Sequence, residues 1–186
     1  MPPKVKVSKE EIINAAMEIV RASGAQAVNA RTVAAALSCS TQPVFSNFAT
    51  MDELQEAVIL AAYERYLGFI QTEVESEKYP RYKAFGMAYI RFAKEEKELF
   101  KLLYMRDRSG EMIPEEAGLT DEMQTMVQNN TGLDETVAKL FHLEMWAYVH
   151  GIATMFATGF LDLEWELVSR MLTDAYQGLR KQYQME

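Results

Sequence analysis

Apolar residues recur at three- and four-residue spacings along almost the whole chain, and the interruptions between those runs set its organisation. Ser8-Lys9-Glu10-Glu11 reads as a capping box, with Val7 and Ile12 as its hydrophobic staple. Ile12, Ala16, Ile19 and Val20 follow at helical spacing, and Ser23-Gly24 ends that helix. Val28-Asn29 opens a second helix: Asn29 can cap it and Val28 can pack on Val33. Ser40 is expected to open a third, with Pro43 tolerated in its first turn. Val33, Ala34, Leu37, Val44 and Phe48 then form one inner surface for this helix pair.

Downstream, Thr50-Met51-Asp52-Glu53 is another capping box. It starts a long helix to about Ser76, with Leu54, Val58, Ala61, Ala62, Arg65 and Phe69 along one side, broken at Tyr79-Pro80. Residues 82–104 stay helical in two pieces, with a bend at 93–98. Ser109-Gly110, Pro114 and Gly118 make 106–120 a loop or short irregular helices. A helix over 121–128, a turn at 129–132 and a long, nearly all-round apolar helix over 134–158 follow. Gly159 is its natural end, and Asp162 is expected to cap a last helix through about Tyr183. No alternating β pattern and no repeat is present. The pattern predicts an all-α fold: a three-helix head over 1–49 and a larger helical bundle body over 50–186.

Composition changes the picture in one respect. The net charge of −8 is unevenly spread. Residues 1–50 carry five basic and three acidic side chains, and the other 136 residues carry 14 and 24. A mildly basic head on an acidic body would orient toward a polyanion through the head. The single cysteine, Cys39, excludes an internal disulfide and fits a reducing cytoplasm. No apolar run reaches membrane-spanning length, and no signal-peptide pattern opens the chain, so a cytoplasmic location is expected.

The outer side of the third helix carries Ser40, Thr41, Gln42, Ser46 and Asn47. A solvent-facing helix usually carries Lys and Glu, whereas short polar groups suit a DNA major groove, where they reach base edges and phosphates. Pro43 can touch a thymine methyl, Phe45 can face backbone sugars or pack, and Arg31 and Thr32 are placed for phosphates. Lys6 and Lys9 add basic contacts.

These residues resemble the DNA-binding head of the TetR family of transcriptional regulators. The matching pattern is Ile12, Ala15-Ala16 and Gly24, then Val33-Ala34 and Ser40, then Phe45 and Phe48 in place of an aromatic-x-x-Phe motif before Asp52-Glu53-Leu54. The resemblance covers residues 8–66. It implies a variable helical body that binds a ligand and dimerises through its last two helices. The chain departs from the family pattern at Ser38-Cys39, where Gly-Val is usual, at Phe45, where tyrosine is usual, at Asn47, where tyrosine or histidine is common, and at Met51, where lysine is usual. Two customary phosphate contacts are thereby lost. Each should lower the salt slope of binding by about 0.9, leaving DNA binding weak or more dependent on Lys4, Lys6, Lys9 and Arg31.

For the body, Tyr66, Phe69, Tyr89, Phe92, Leu103, Tyr104, Met123, Met126, Met145, Trp146 and Tyr148 are the expected ligand-contacting set. Methionine adapts to irregular shapes and tyrosine hydroxyls anchor a ligand in an apolar site. His150, Thr154, Ala157, Leu163, Leu167, Met171 and Ala175 are expected at a four-helix dimer seam. His142 and His150 lack metal-site spacing, and no metal or other cofactor is expected. Phosphate-loop, zinc-protease and nucleophile-elbow signatures are missing, so the chain is not expected to be an enzyme. The expected function is a homodimeric, ligand-responsive transcription factor. Its partners would be a double-stranded DNA operator, a small-molecule effector and a second copy, with no membrane. The alternatives are a helical small-molecule sensor or carrier, or a protein-interaction module.

Overall fold

A computed structural model describes residues 7–106 and 121–183. Among these residues every regular element is helical. The helices are α1 (Lys9–Ser23), α2 (Ala30–Ala36), α3 (Gln42–Asn47), α4 (Met51–Glu75), α5 (Arg81–Glu95), α6 (Lys97–Tyr104), α7 (Asp121–Thr131), α8 (Glu135–Thr158) and α9 (Trp165–Gln182). The chain divides into two compact units, Met1–Leu67 with Glu96–Arg106, and Gly68–Glu95 with Asp107–Glu186. The loop expected at 106–120 lies outside the described residues from position 107 onward.

In the first unit, the predicted caps form. Ser8 Oγ accepts from Glu11 N at 3.1 Å and the Glu11 carboxylate accepts from Ser8 N at 2.8 Å. Those bonds to Ser8, the backbone one foremost, hold the Glu11 carboxyl below its ordinary range. Asn29 Oδ1 accepts from Arg31 N and Thr32 N, and Val28 and Val33 are both buried as the staple requires. The α2–α3 turn is a Schellman motif: Cys39 N donates to Ala34 O and Ser38 N to Ala35 O. It needs a left-handed residue, and Ser38 supplies it at φ +52° where the resemblance would place glycine.

The start of α3 differs from expectation. Thr41, not Ser40, occupies the N-cap, in a helical conformation with no side-chain cap bond. Pro43 in the first turn, and Val44 and Phe48 in the core, hold the helix instead. At α4, Thr50 Oγ1 accepts from Glu53 N, while Glu53 accepts from Ala49 N, one residue before the usual box partner. Arg65 lies outside the inner row expected for it. It reaches Glu96 at 3.1 Å, and Arg21 of α1 reaches the same carboxylate at 2.8 Å. Glu96, at the α5–α6 break, thus ties α1, α4 and the start of α6, and keeps the Arg21 guanidinium firmly charged. Leu99, Phe100 and Leu103 of α6 are buried, and α6 packs on α1.

The second unit is built on α5 against α8, with α7 and α9 closing over them. Gly86 lets α5 approach closely: a Cβ there would stand 3.0 Å from Leu172 and 3.4 Å from Val149. Buried Glu73, at the end of α4, pairs with Arg91 at 3.0 Å, and Arg91 lies over the Trp165 ring. Two tyrosine–histidine pairs join α5 to α8, Tyr82 to His142 and Tyr89 to His150, each at 2.9 Å. Burial pushes the Tyr82 hydroxyl up, so it stays protonated. Asp134 caps α8 and Gly159 ends it at φ +70°, as expected. Two boundaries differ. α7 runs through Thr131, and Gly132 at φ +71° makes the turn. α9 starts at Trp165 with Glu164 at the N-cap and no side-chain cap bond, and Asp162 pairs with Lys94.

Candidate nucleic-acid interface

Val44 and Phe48 fix one side of α3 in the core, so helical geometry presents the opposite side outward. Ser40, Gln42, Phe45 and Ser46 are exposed, and Thr41 and Pro43 are half-buried. Phe45 is 52% exposed, which decides its ambiguity against packing within the chain. Ser46 donates its hydroxyl to Gln42 O and keeps its lone pairs free to accept.

Three candidates are already engaged. Asn47 Nδ2 donates to Pro43 O at 2.8 Å and Val7 O at 3.3 Å, so its amide helps anchor the segment before α1. Thr32 Oγ1 lies 2.8 Å from Ala27 O as a donor and accepts from Asn29 N. Lys9 Nζ sits 3.5 Å from Glu53 and over the Phe48 ring. That exposed pairing offsets part of the Lys9 charge within the head. Arg31 is exposed with no ion-pair partner among the described residues. Lys4 and Lys6 lie outside the described residues.

The expected ligand set is distributed over packed core. In the first unit, Tyr66 meets Tyr104 edge-to-face at 6.0 Å, Tyr104 contacts Phe100, and Leu103 is buried. In the second, Phe69 meets buried Phe92 edge-to-face at 5.4 Å, Tyr89 bonds His150, and Trp146 stacks on that imidazole at 4.9 Å. Met123 and Met145 are buried. Two hollows of this unit differ in room. One is an open cleft of about 300 Å³ lined by Arg81, Glu122, Thr125, Met126, Asn129 and Asn130. The other, by Tyr82 and Tyr176, has no room for a water molecule. Met126 is the expected residue that reaches the open cleft. Tyr148 corrects the list: it is exposed on the outer side of α8.

The seam set is corrected at two residues. Ala157 is buried in its own chain, and Ala175 packs inward on the cluster of Val127, Phe141 and Met145. Leu163 and Met171 are half-buried and Leu167 is 46% exposed; Thr154 is half-buried, as is His150, which pairs with Tyr89. Sequence reasoning missed Leu140 and Leu143, 47% and 42% exposed. With Ala147 they form a stripe at i, i+3 and i+7, opposite the buried row of Phe141, Met145 and Val149. The signal was present, but an all-round apolar helix does not announce which side faces its own core.

A three-helix head with a supported outward helix, followed by a helical bundle, defines the class of helix-turn-helix regulators. The model of the Tetracyclin repressor-like C-terminal domain matches residues 82–175, half the chain, and the chain belongs to this TetR family of ligand-responsive, non-enzymatic transcriptional regulators. No curated protein sequence matches it. Among solved structures it is similar to a protein of unknown function from Rhodococcus sp. RHA1, with 22% identity, 96% of this chain and 98% of that one covered, and a TM-score of 0.73. A TetR-family protein from Vibrio parahaemolyticus has 16% identity, coverage of 91% and 97%, and a TM-score of 0.64. The multidrug binding protein EbrR, solved with imidazole and with malachite green, has 19% identity in the former complex, coverage of 90% and 93%, and a TM-score of 0.57. At these identities the likeness concerns the fold. Among the described residues no helix is long and apolar enough to cross a membrane.

Proposed function

We propose that the protein is a cytoplasmic repressor that binds a pseudo-palindromic operator as a homodimer and is released by a small apolar or aromatic effector. The observation that carries the reading is α3, pinned by Val44 and Phe48 and showing Gln42, Phe45 and Ser46 to solvent. Residues 1–49 read the DNA and residues 50–186 sense the effector and dimerise. Gln42 and Ser46 contact base edges, and Arg31 contacts phosphate. Two heads enter successive major grooves, about 34–36 Å apart or somewhat wider.

The exposed stripe of Leu140, Leu143 and Ala147 on α8 and the exposed Leu167 on α9 support a symmetric seam between two copies. The aromatic character of the body, and the imidazole and malachite green complexes of EbrR, support an aromatic effector. Phe92 and Met145 are buried in the single chain, so the effector binds a more open state and shifts the population toward it.

A mobility-shift assay with DNA flanking the protein's own gene tests the proposal. Sequence-specific binding that is lost in Gln42→Ala, with the melting temperature kept, supports it. Weak, sequence-blind binding unaffected by that change would leave a helical sensor whose head reads no sequence, and would overturn it.

A further inference from the structure

Lys83 on α5 is bound differently from Lys9, Lys94 and Lys101. Its Nζ lies 2.8 Å from both Ser169 Oγ and Thr173 Oγ1, one turn apart on α9. Lys9, Lys94 and Lys101 instead meet carboxylates. No carboxylate of the described residues stands within ion-pairing distance of Lys83. The Tyr79 ring lies 5.0 Å away, and the Lys78 ammonium is 5.3 Å from that same ring.

This surrounding accepts two states of the amine. A carboxylate rewards only the ammonium form. A hydroxyl accepts a hydrogen bond from an ammonium and equally donates one to a neutral amine. Neutral Lys83 therefore keeps both hydroxyl partners, while the charged form has no carboxylate counterion among the described residues and gains only the face of the Tyr79 ring. Partial burial acts in the same direction, lowering the Lys83 pKa. The side chain is half-buried and Thr173 is exposed, so a small reagent reaches Nζ from solvent.

We propose that Lys83 is an acylation site, a nucleophilic amine that takes acyl groups from small activated donors of the acyl phosphate class. The neutral Nζ attacks the acyl carbonyl carbon and a C–N bond forms. The C–O bond to phosphate breaks, phosphate leaves with the electron pair, and the amine proton passes to solvent. The amide product keeps one N–H where the ammonium had three, so one of the two bonds across α5 and α9 is lost together with the charge. Acylation at this position loosens the strap between those helices.

The test treats the full chain with acetyl phosphate and measures acetylation at each lysine by peptide mass spectrometry across pH. Exposed Lys97 and Lys181 are the internal references. Lys83 is expected to react about threefold faster than either near neutral pH, with a rate profile displaced to lower pH. Ser169→Asp supplies the missing carboxylate and is expected to bring the Lys83 rate down to that of the references. Thr173→Asp provides the same change if the first variant fails to melt cooperatively. Lys83 reacting no faster than Lys97 and Lys181, or at a rate unchanged by either aspartate, would overturn the proposal.

Discussion

Ser38 holds a left-handed conformation that an L side chain adopts at a cost. The Schellman bonds of Cys39 and Ser38 keep it there. Glycine removes the Cβ conflict but adds freedom to the unfolded chain. The first effect is larger, so Ser38→Gly should stabilise the protein by about 0.5–1 kcal/mol, measured as a higher urea midpoint with an unchanged slope. Phe45 presents the complementary case. It is exposed but has no donor for phosphate. Phe45→Tyr should tighten operator binding several-fold through a hydrogen bond to phosphate while leaving the dependence of log K on log salt unchanged, because a neutral hydroxyl releases no counterion, read in a salt titration by fluorescence anisotropy. An affinity unchanged by the hydroxyl would place residue 45 away from the DNA backbone.

At the scale of elements, the α5–α8 seam combines close approach at Gly86 with two tyrosine–histidine bonds. Burial against α5 holds the His150 imidazole below the ordinary histidine range. Below about pH 6.5 the unfolded chain therefore takes up a proton that the folded chain resists. The contribution of this residue is complete above that pH and is lost as pH falls toward the folded value. Urea midpoints should drop between neutral and mildly acidic pH, and drop less in His150→Gln, which keeps an acceptor for Tyr89 but does not titrate. An identical drop in both proteins would remove His150 from the account.

For the whole molecule, the regulatory reading requires two heads at a fixed separation, and so a dimer. An isologous seam doubles the effect of any change in it, since each substitution meets its own copy or its symmetry mate. Leu143→Glu would place two uncompensated carboxylates in the proposed seam. It should weaken the dimer by about a hundredfold while leaving the monomer folded, because Leu143 is already 42% exposed in the single chain. Sedimentation velocity would show half the mass, and operator binding would fall with it. A dimer of unchanged strength would move the seam elsewhere.

Local interactions made much of this protein readable from its residues alone. The box at Ser8, the caps at Asn29 and Thr50, the break at Tyr79-Pro80 and the stop at Gly159 act within one turn of the chain. Their free energies depend on neighbours that the sequence itself supplies. The inner row of Val33, Val44 and Phe48 followed from helical spacing, and with it the outward side of α3. Tertiary structure alone decided how long polar side chains are used. Asn47 reaches Val7, Lys9 reaches Glu53 and Asp162 reaches Lys94 rather than its own helix. It likewise decided which side of α8 faces the core, and it paired Tyr82 and Tyr89 with histidines some sixty positions away. Those choices rest on surfaces brought together by packing, and a periodicity that is apolar all round carries no preference among them.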